Sequence, residues 1–151
     1  MPISVLIIVR RGEDRGQCTI QPLRGTQGID FLRYPLRRKP DLSRYLLLAP
    51  DATPLTSTDA DRPLLLLDAN WRHAVKMRKA IEPVEARSIP PGWRTAYPRS
   101  SNIHADPDTG LATVEALFAA TCVLGCRDDS LLRHYPWRDA FLALNRELVE
   151  R

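Results

Sequence analysis

The segment Leu64-Leu65-Leu66-Leu67-Asp68-Ala69-Asn70-Trp71 constrains this chain more than any other. A short apolar run of this kind reads as a buried strand. It stops abruptly at a carboxylate, a small residue, an amide and an indole, and Arg72 to Ala80 then carries the pattern of a helix. A strand delivered straight into a helix is the repeating unit of an α/β sheet. In open sheets of this class ligands bind beyond the carboxyl ends of the strands, which is where Asp68 and Trp71 fall. A purely structural reading stays open beside the functional one, with Asp68 as the cap of the helix and Trp71 as a core side chain.

The rest of the chain repeats the alternation. Residues 3–9 read as a first strand, and residues 11–16 as a charged turn. Cys18 to Leu23 reads as extended, with Pro22 unable to donate a ladder hydrogen bond. Ile29 to Pro35 and Tyr45 to Leu48 are further short strands, and the polar stretch 51–63 has room for one helical turn near Thr58. Ala86 to Ile89 is a thin strand candidate, followed by the turn Pro90-Pro91-Gly92. Residues 93–110 are irregular and rich in Arg, Pro, Ser and Asp, and a long loop of that kind in a compact domain is usually functional or disordered. Thr113 to Leu124 is the strongest helix, apolar over a wide face; it lacks a capping-box acid if counted from Thr113, so Asp108 or Thr109 could start an earlier turn. Asp128 to His134 and Trp137 to Val149 read as two more helices, the last amphipathic through Phe141, Leu144 and Leu148. Strands that are apolar without polar alternation predict a parallel or mixed central sheet with helices on both faces.

At 151 residues, 44% of them hydrophobic, the chain can bury a core, and one domain over residues 1–151 is the expectation. No apolar stretch approaches the length of about 18 residues that a membrane span needs, and the start lacks the marks of a signal peptide. Cys18, Cys122 and Cys126 make an odd set with no paired framework. Cys122 and Cys126 lie four apart on an apolar helix and are expected to be buried thiols. His73, His104 and His134 are scattered, so no zinc set can be assembled and no metal is expected. A reducing cytoplasm fits. The net charge of +4 says little by itself, but the basic residues are grouped: Arg10, Arg11, Arg15 and Arg24; then Arg33, Arg37, Arg38, Lys39 and Arg44; then Arg72, Lys76, Arg78 and Lys79. Arg87, Arg94 and Arg99 follow. Such groups can contact phosphates without reading sequence, or can be an ordinary solvated face.

Common nucleotide, esterase and zinc-protease signatures are absent: there is no Gly-x-Gly-x-x-Gly, Gly-Lys-Ser, Gly-x-Ser-x-Gly or His-Glu-x-x-His. What remains is a set of candidate strand ends that could converge: residues 48–50, residues 67–71, and the loop before Thr113.

Three blocks in order carry a family resemblance over roughly residues 15–145. Asp68-x-x-Trp71 after an apolar strand, with Ala74 and Lys76-Met77 behind it, resembles the DTW-domain proteins and their relatives, the small-subunit rRNA aminocarboxypropyltransferases. Leu111-Ala112-Thr113-Val114-Glu115-Ala116 is similar to the Leu-Ser-Thr-x-Glu-Ala stretch of both groups. Gln17-Cys18-Thr19 through Leu23 resembles the Lys-Cys-Thr-x-x-x-Leu segment of the rRNA branch. Leu46 to Pro50 and Leu55 to Arg62 resemble the proline-containing segments that follow there. The chain departs from the pattern at Ala112, at Gln17, and at Ala69-Asn70 inside the first box.

The resemblance implies a knotted, SPOUT-like methyltransferase fold, which pattern reading alone would never suggest. It implies S-adenosylmethionine as cofactor, held largely by backbone and aliphatic groups. On these terms the cofactor residues are Thr19, Leu48, Ala49, Leu67, Trp71, Leu111, Ala112, Thr113 and Glu115. Trp71 is the candidate wall against the sulfonium, and Thr19 the candidate for the amino-acid arm. Asp68 is the first choice for assisting a ring N–H of uridine or pseudouridine, with Glu115 second; Glu115 could instead hold loops together through backbone N–H groups. Arg72, Lys76, Lys79 and Arg99 are the candidate RNA contacts. The partner expected is rRNA or tRNA, presented within a ribosomal particle. The alternatives are a tRNA-uridine enzyme of the DTW type, an RNA methyltransferase, and a non-catalytic RNA-binding or ribosome-assembly protein.

Overall fold

The computed structural model describes residues 3–10, 19–98 and 110–151. Five strands form one sheet: β1 (Val5–Arg10), β2 (Ile29–Tyr34), β3 (Leu46–Leu48), β4 (Leu64–Asp68) and β5 (Glu85–Arg87). Their order is β2-β1-β4-β3-β5, so the leucine run is the middle strand. Every pairing among the described residues is parallel. The mixed alternative is therefore not needed, and the charged turn expected at 11–16 lies outside the described residues.

An all-parallel sheet must be covered on both faces, because its connections place helices there. The strands obey this with period two. Val5, Ile7, Val9, Leu46, Leu64 and Leu66 enter one core with Leu117, Phe118 and Phe141. Leu6, Ile8, Leu47 and Leu65 enter another with Met77 and Ile81. Helix α1 (Trp71–Ile81) covers the second face. Helix α2 (Thr113–Val123) covers the first, joined by α3 (Arg138–Leu144) and α4 (Arg146–Val149). None of the helices is long and apolar enough to cross a membrane, among the described residues.

Four local expectations are corrected. Gln21–Leu23 is a 3-10 turn and not extended; Pro22 stands in its first turn, where a fixed φ and a missing N–H cost nothing. Asp129–Leu132 is likewise a short 3-10 turn, capped by the Asp128 carboxylate on the Ser130 N–H, and not a helix to His134. The final helix is two helices broken at Asn145, which is buried and spends its amide elsewhere: Oδ1 accepts from the Arg94 N–H at 2.7 Å, and Nδ2 donates to the Arg94 and Phe141 carbonyls. Leu144, the last residue of α3, is 49% exposed, where an apolar face was expected.

The cysteine pair is corrected as well. Helix α2 ends at Val123, and Cys126 lies beyond it. Gly125 takes φ +81°, the Gly125 N–H donates to Cys122 C=O and the Cys126 N–H to Thr121 C=O. These two bonds define the Schellman termination, which needs a residue free to adopt positive φ. Cys122 and Cys126 are half-buried free thiols.

Candidate functional site

The site is built where β4 stops and α2 starts. Asp68 is the last residue of β4, in register with Val9 of β1. The alternation that sends Leu66 under α2 sends Asp68 to the same face. Thr113, the first residue of α2, donates its hydroxyl to Asp68 Oδ1 at 2.7 Å. Asp68 is buried. It does not cap the helix that follows it: Asn70 does, its Oδ1 accepting from the His73 N–H at 3.1 Å. Asp68 is thereby turned toward α2.

Ala112 is the N-cap of α2 and has no side-chain oxygen with which to cap it. Two other residues share that task. Thr19 Oγ1 accepts from the Val114 N–H at 3.2 Å, from 95 positions away in the chain. Glu115 Oε1 accepts from the Ala112 N–H at 2.8 Å. The acid of the capping arrangement is thus present at the third helical position, once the helix is counted from Ala112 rather than Thr113. Asp108 and Thr109 lie outside the described residues.

Glu115 is fully buried, and its carboxylate is a hub. Oε1 also accepts from the Thr95 hydroxyl at 2.6 Å; Oε2 accepts from the Ala96 N–H at 2.9 Å and from the Tyr135 hydroxyl at 2.8 Å. Four donors from three separate segments satisfy one buried charge, which is what such burial requires. Burial, together with the bond to Glu115, pushes the Tyr135 phenol far above the ordinary tyrosine range, so it stays a donor.

The other expected residues divide. Leu48 and Leu111 are half-buried against the core under α2, on the face that Asp68 shares. Ala49 and Leu67 pack toward α1, on the opposite face, so at the strand ends they share only backbone with that group. The Ala49 N–H is taken by Arg87 C=O at 2.8 Å. Trp71 opens α1, but its side chain lies outside the described residues, as does Arg99.

Arg72, Lys76 and Lys79 are exposed along α1 at spacings of four and three, which places them on one face. Arg78, between them, is tied to Asp51 at 2.8 Å. Lys39 donates to the Glu82 carbonyl at the carboxyl end of α1, which brings the Arg37-Arg38-Lys39 loop beside that end. Other cations are committed internally: Arg24 lies over the Phe31 ring at 4.4 Å, and Arg87 pairs with Glu85 at 2.7 Å. No group of three or more His, Cys, Asp or Glu side chains among the described residues could hold a metal ion.

Sequence reasoning missed Thr95, Tyr135 and Asn145. For Thr95 and Tyr135 no local signal exists. For Asn145 one does: it falls on the same helical face as Phe141 and Val149, and a polar residue in an apolar stripe marks a buried partner.

Comparison with known proteins gives two likenesses. The chain is 33% identical over 106 residues to a 16S rRNA aminocarboxypropyltransferase of Vulcanisaeta distributa, across 66% of this chain and 55% of that protein. It thus spans about half the length of the curated relative it matches. The solved structure of the SAM-dependent rRNA:acp-transferase Tsr3 from Vulcanisaeta distributa superposes with a TM-score of 0.71 at 24% identity, covering 99% of this chain and 82% of that one. The two share a fold. No family model matches the chain.

Proposed function

We propose that this chain transfers the 3-amino-3-carboxypropyl group of S-adenosylmethionine to a ring nitrogen of uridine or pseudouridine in small-subunit rRNA. The observation that carries the reading is the 33% identity to the rRNA enzyme, over a stretch of 106 residues. Within this proposal residues 1–151 act as one cofactor-binding domain in the cytoplasm, with the knotted, SPOUT-like chain path of the enzymes it resembles.

The residues present fit such a cofactor. Leu48 and Leu111 leave apolar surface partly open at the strand ends, suited to the flat face of an adenine. The N-cap of α2, Ala112, carries no side-chain oxygen, and helix N-termini favour carboxylates such as that of the amino-acid arm. When bound, S-adenosylmethionine supplies an electrophilic carbon beside its sulfonium, with methylthioadenosine as the product. Trp71 is assigned as the wall that covers the sulfonium. Thr19 holds the start of α2 and orients the amino-acid arm. Asp68, aimed by the Thr113 hydroxyl, takes or shares the proton of the acceptor N–H. Glu115 is assigned a positioning role, because its oxygens are already occupied by four donors.

Incubation of the protein with S-adenosylmethionine and small-subunit rRNA tests the reading. The expected product is methylthioadenosine, with an aminocarboxypropyl mass added to the RNA. S-adenosylhomocysteine as sole product would make it a methyltransferase, and no cofactor binding at millimolar concentration would leave an RNA-binding protein. Asp68→Asn should lower transfer more than cofactor affinity; an equal loss in both would assign Asp68 to holding the cofactor or the loop.

A further inference from the structure

A cavity of about 210 Å³ opens between two turns, residues 19–26 and 130–135. Both walls are hydrogen-bonded in place. The Leu23 N–H donates to Ile20 C=O at 2.9 Å and the Thr26 N–H to Leu23 C=O at 3.0 Å; opposite them, the Arg133 N–H donates to Ser130 C=O at 3.1 Å and the Tyr135 N–H to Leu132 C=O at 3.0 Å. Ile20, Leu23, Leu131 and Leu132 are buried beneath the walls. The cavity is therefore formed before anything enters it.

Its lining is mixed in a telling way. Pro22, Leu23 and Leu131 are its apolar lining residues, Thr19, Thr26 and Ser130 its small polar ones, and Arg133 and His134, both exposed, line it as well. Of the acids of the adjoining turn, Asp129 pairs with Arg127, and Asp128 accepts from the N–H and hydroxyl of Ser130 at the cavity wall. Tyr135 closes one end, with its hydroxyl given to Glu115. Beside it stands Trp137, held edge-to-face by Tyr135 at 5.7 Å and by Tyr97 at 5.4 Å, yet 37% exposed. A large indole left open and fixed by two rings is costly to solvate and suited to stacking.

Sites that enclose a whole small molecule usually measure about 300–1,000 Å³. This cavity is smaller, with room for about one unit of a longer ligand. A cation in the lining with an aromatic platform alongside is the combination that grips single-stranded nucleic acid: charge for the phosphate, a ring for the base. The cavity also adjoins the candidate site through Thr19, whose hydroxyl holds the Val114 N–H one residue from the Thr113–Asp68 bond.

We propose that this cavity and Trp137 hold a nucleotide flanking the acceptor, with its phosphate on Arg133 and His134 and its base on the indole. The inference rests on the RNA reading above and adds a second contact surface, separate from the basic face of α1.

The test is RNA affinity by fluorescence anisotropy, using a labelled, uridine-rich single-stranded RNA of about a dozen nucleotides. Arg133→Ala should weaken binding about fivefold and reduce the slope of affinity against salt by about one. Trp137→Ala should weaken it about tenfold, and Trp137→Phe should recover most of that. Calorimetric affinity for S-adenosylmethionine should not change in any of the three. Both positions are exposed, and thermal melts check that each variant folds. RNA affinity within twofold of the native protein for both alanine variants, with an unchanged salt slope, overturns the inference, and so does a native protein that binds no RNA. If those variants are silent while the native protein forms methylthioadenosine, the cavity assignment falls and the transfer reading stands. If they weaken RNA binding while the native protein binds no cofactor, the reverse holds.

Discussion

Glu115 shows how one residue can set a site without reaching into it. Its carboxylate takes four hydrogen bonds, from Thr95, Ala96, Ala112 and Tyr135, and none of its surface is exposed. Removing one side of such a cluster strands the other, at about 1–3 kcal/mol for each buried group left unmade. Glu115→Ala is expected to cost about 3 kcal/mol or more, because it strands four donors at once. Glu115→Gln should cost less, because it keeps the shape and at least one acceptor. Urea denaturation of both variants checks this, and a loss in Glu115→Ala of under about 1 kcal/mol would remove the hub from the account. Cys122 is a different case, a half-buried thiol. Burial pushes its thiol up to about 11, with Arg127 opposing weakly. The thiolate is the reactive form, so alkylation should be slow at neutral pH and keep rising into the alkaline range. A rate that levels off in the ordinary cysteine range, followed by mass spectrometry, would contradict that environment.

At the scale of elements, α2 is the part whose start is assembled from elsewhere. Ala112 offers no hydroxyl, so Thr19 and Glu115 supply the capping contacts. An alanine at this position gives up roughly 1 kcal/mol relative to a serine. Ala112→Ser should therefore raise stability by about that amount if its hydroxyl meets the Glu115 N–H. A calorimetric Tm above that of the native protein, with cofactor affinity unchanged, would make the residue purely a cap. Tighter cofactor binding would place it in the site. The broken helix at α3 and α4 follows the opposite logic. Asn145 lies where the apolar stripe predicts a hydrophobic residue; its side-chain amide holds the Arg94 backbone, and its own backbone departs from helical angles at φ −113° while its N–H still reaches Phe141 C=O. The loop from Trp93 is thus pinned to the last helices, with Trp93 stacked on Phe141 at 6.0 Å.

For the whole molecule, the sheet separates two kinds of surface. One face carries α2, the Glu115 hub and the Thr19 cavity; the other carries α1 with Lys76 and Lys79 exposed along it. If RNA runs along α1, its affinity must fall with salt as counterions are released. Reversing Lys76 and Lys79 to Glu should weaken binding uniformly across RNA sequences and flatten the salt dependence, while leaving cofactor affinity alone. Affinity that ignores both salt and these substitutions would put the RNA on another surface.

The sequence by itself determined the sheet and the strand that centres it. Four consecutive leucines bounded by Pro63 and Asp68 read as a short strand buried on both sides, and α1 follows from local pattern and the Asn70 cap. Asp68, Thr19 and the Leu111–Glu115 block were also legible, through resemblance as well as position. What only the tertiary structure decided is who meets whom. Period-two alternation puts Leu67 and Asp68 on opposite faces, and only the packing shows that α2 covers the Asp68 side. The Thr19–Val114, Glu115–Tyr135 and Asn145–Arg94 bonds join residues 20 to 95 positions apart. No local propensity encodes such pairs, because each forms only after burial has removed the water that would otherwise satisfy it.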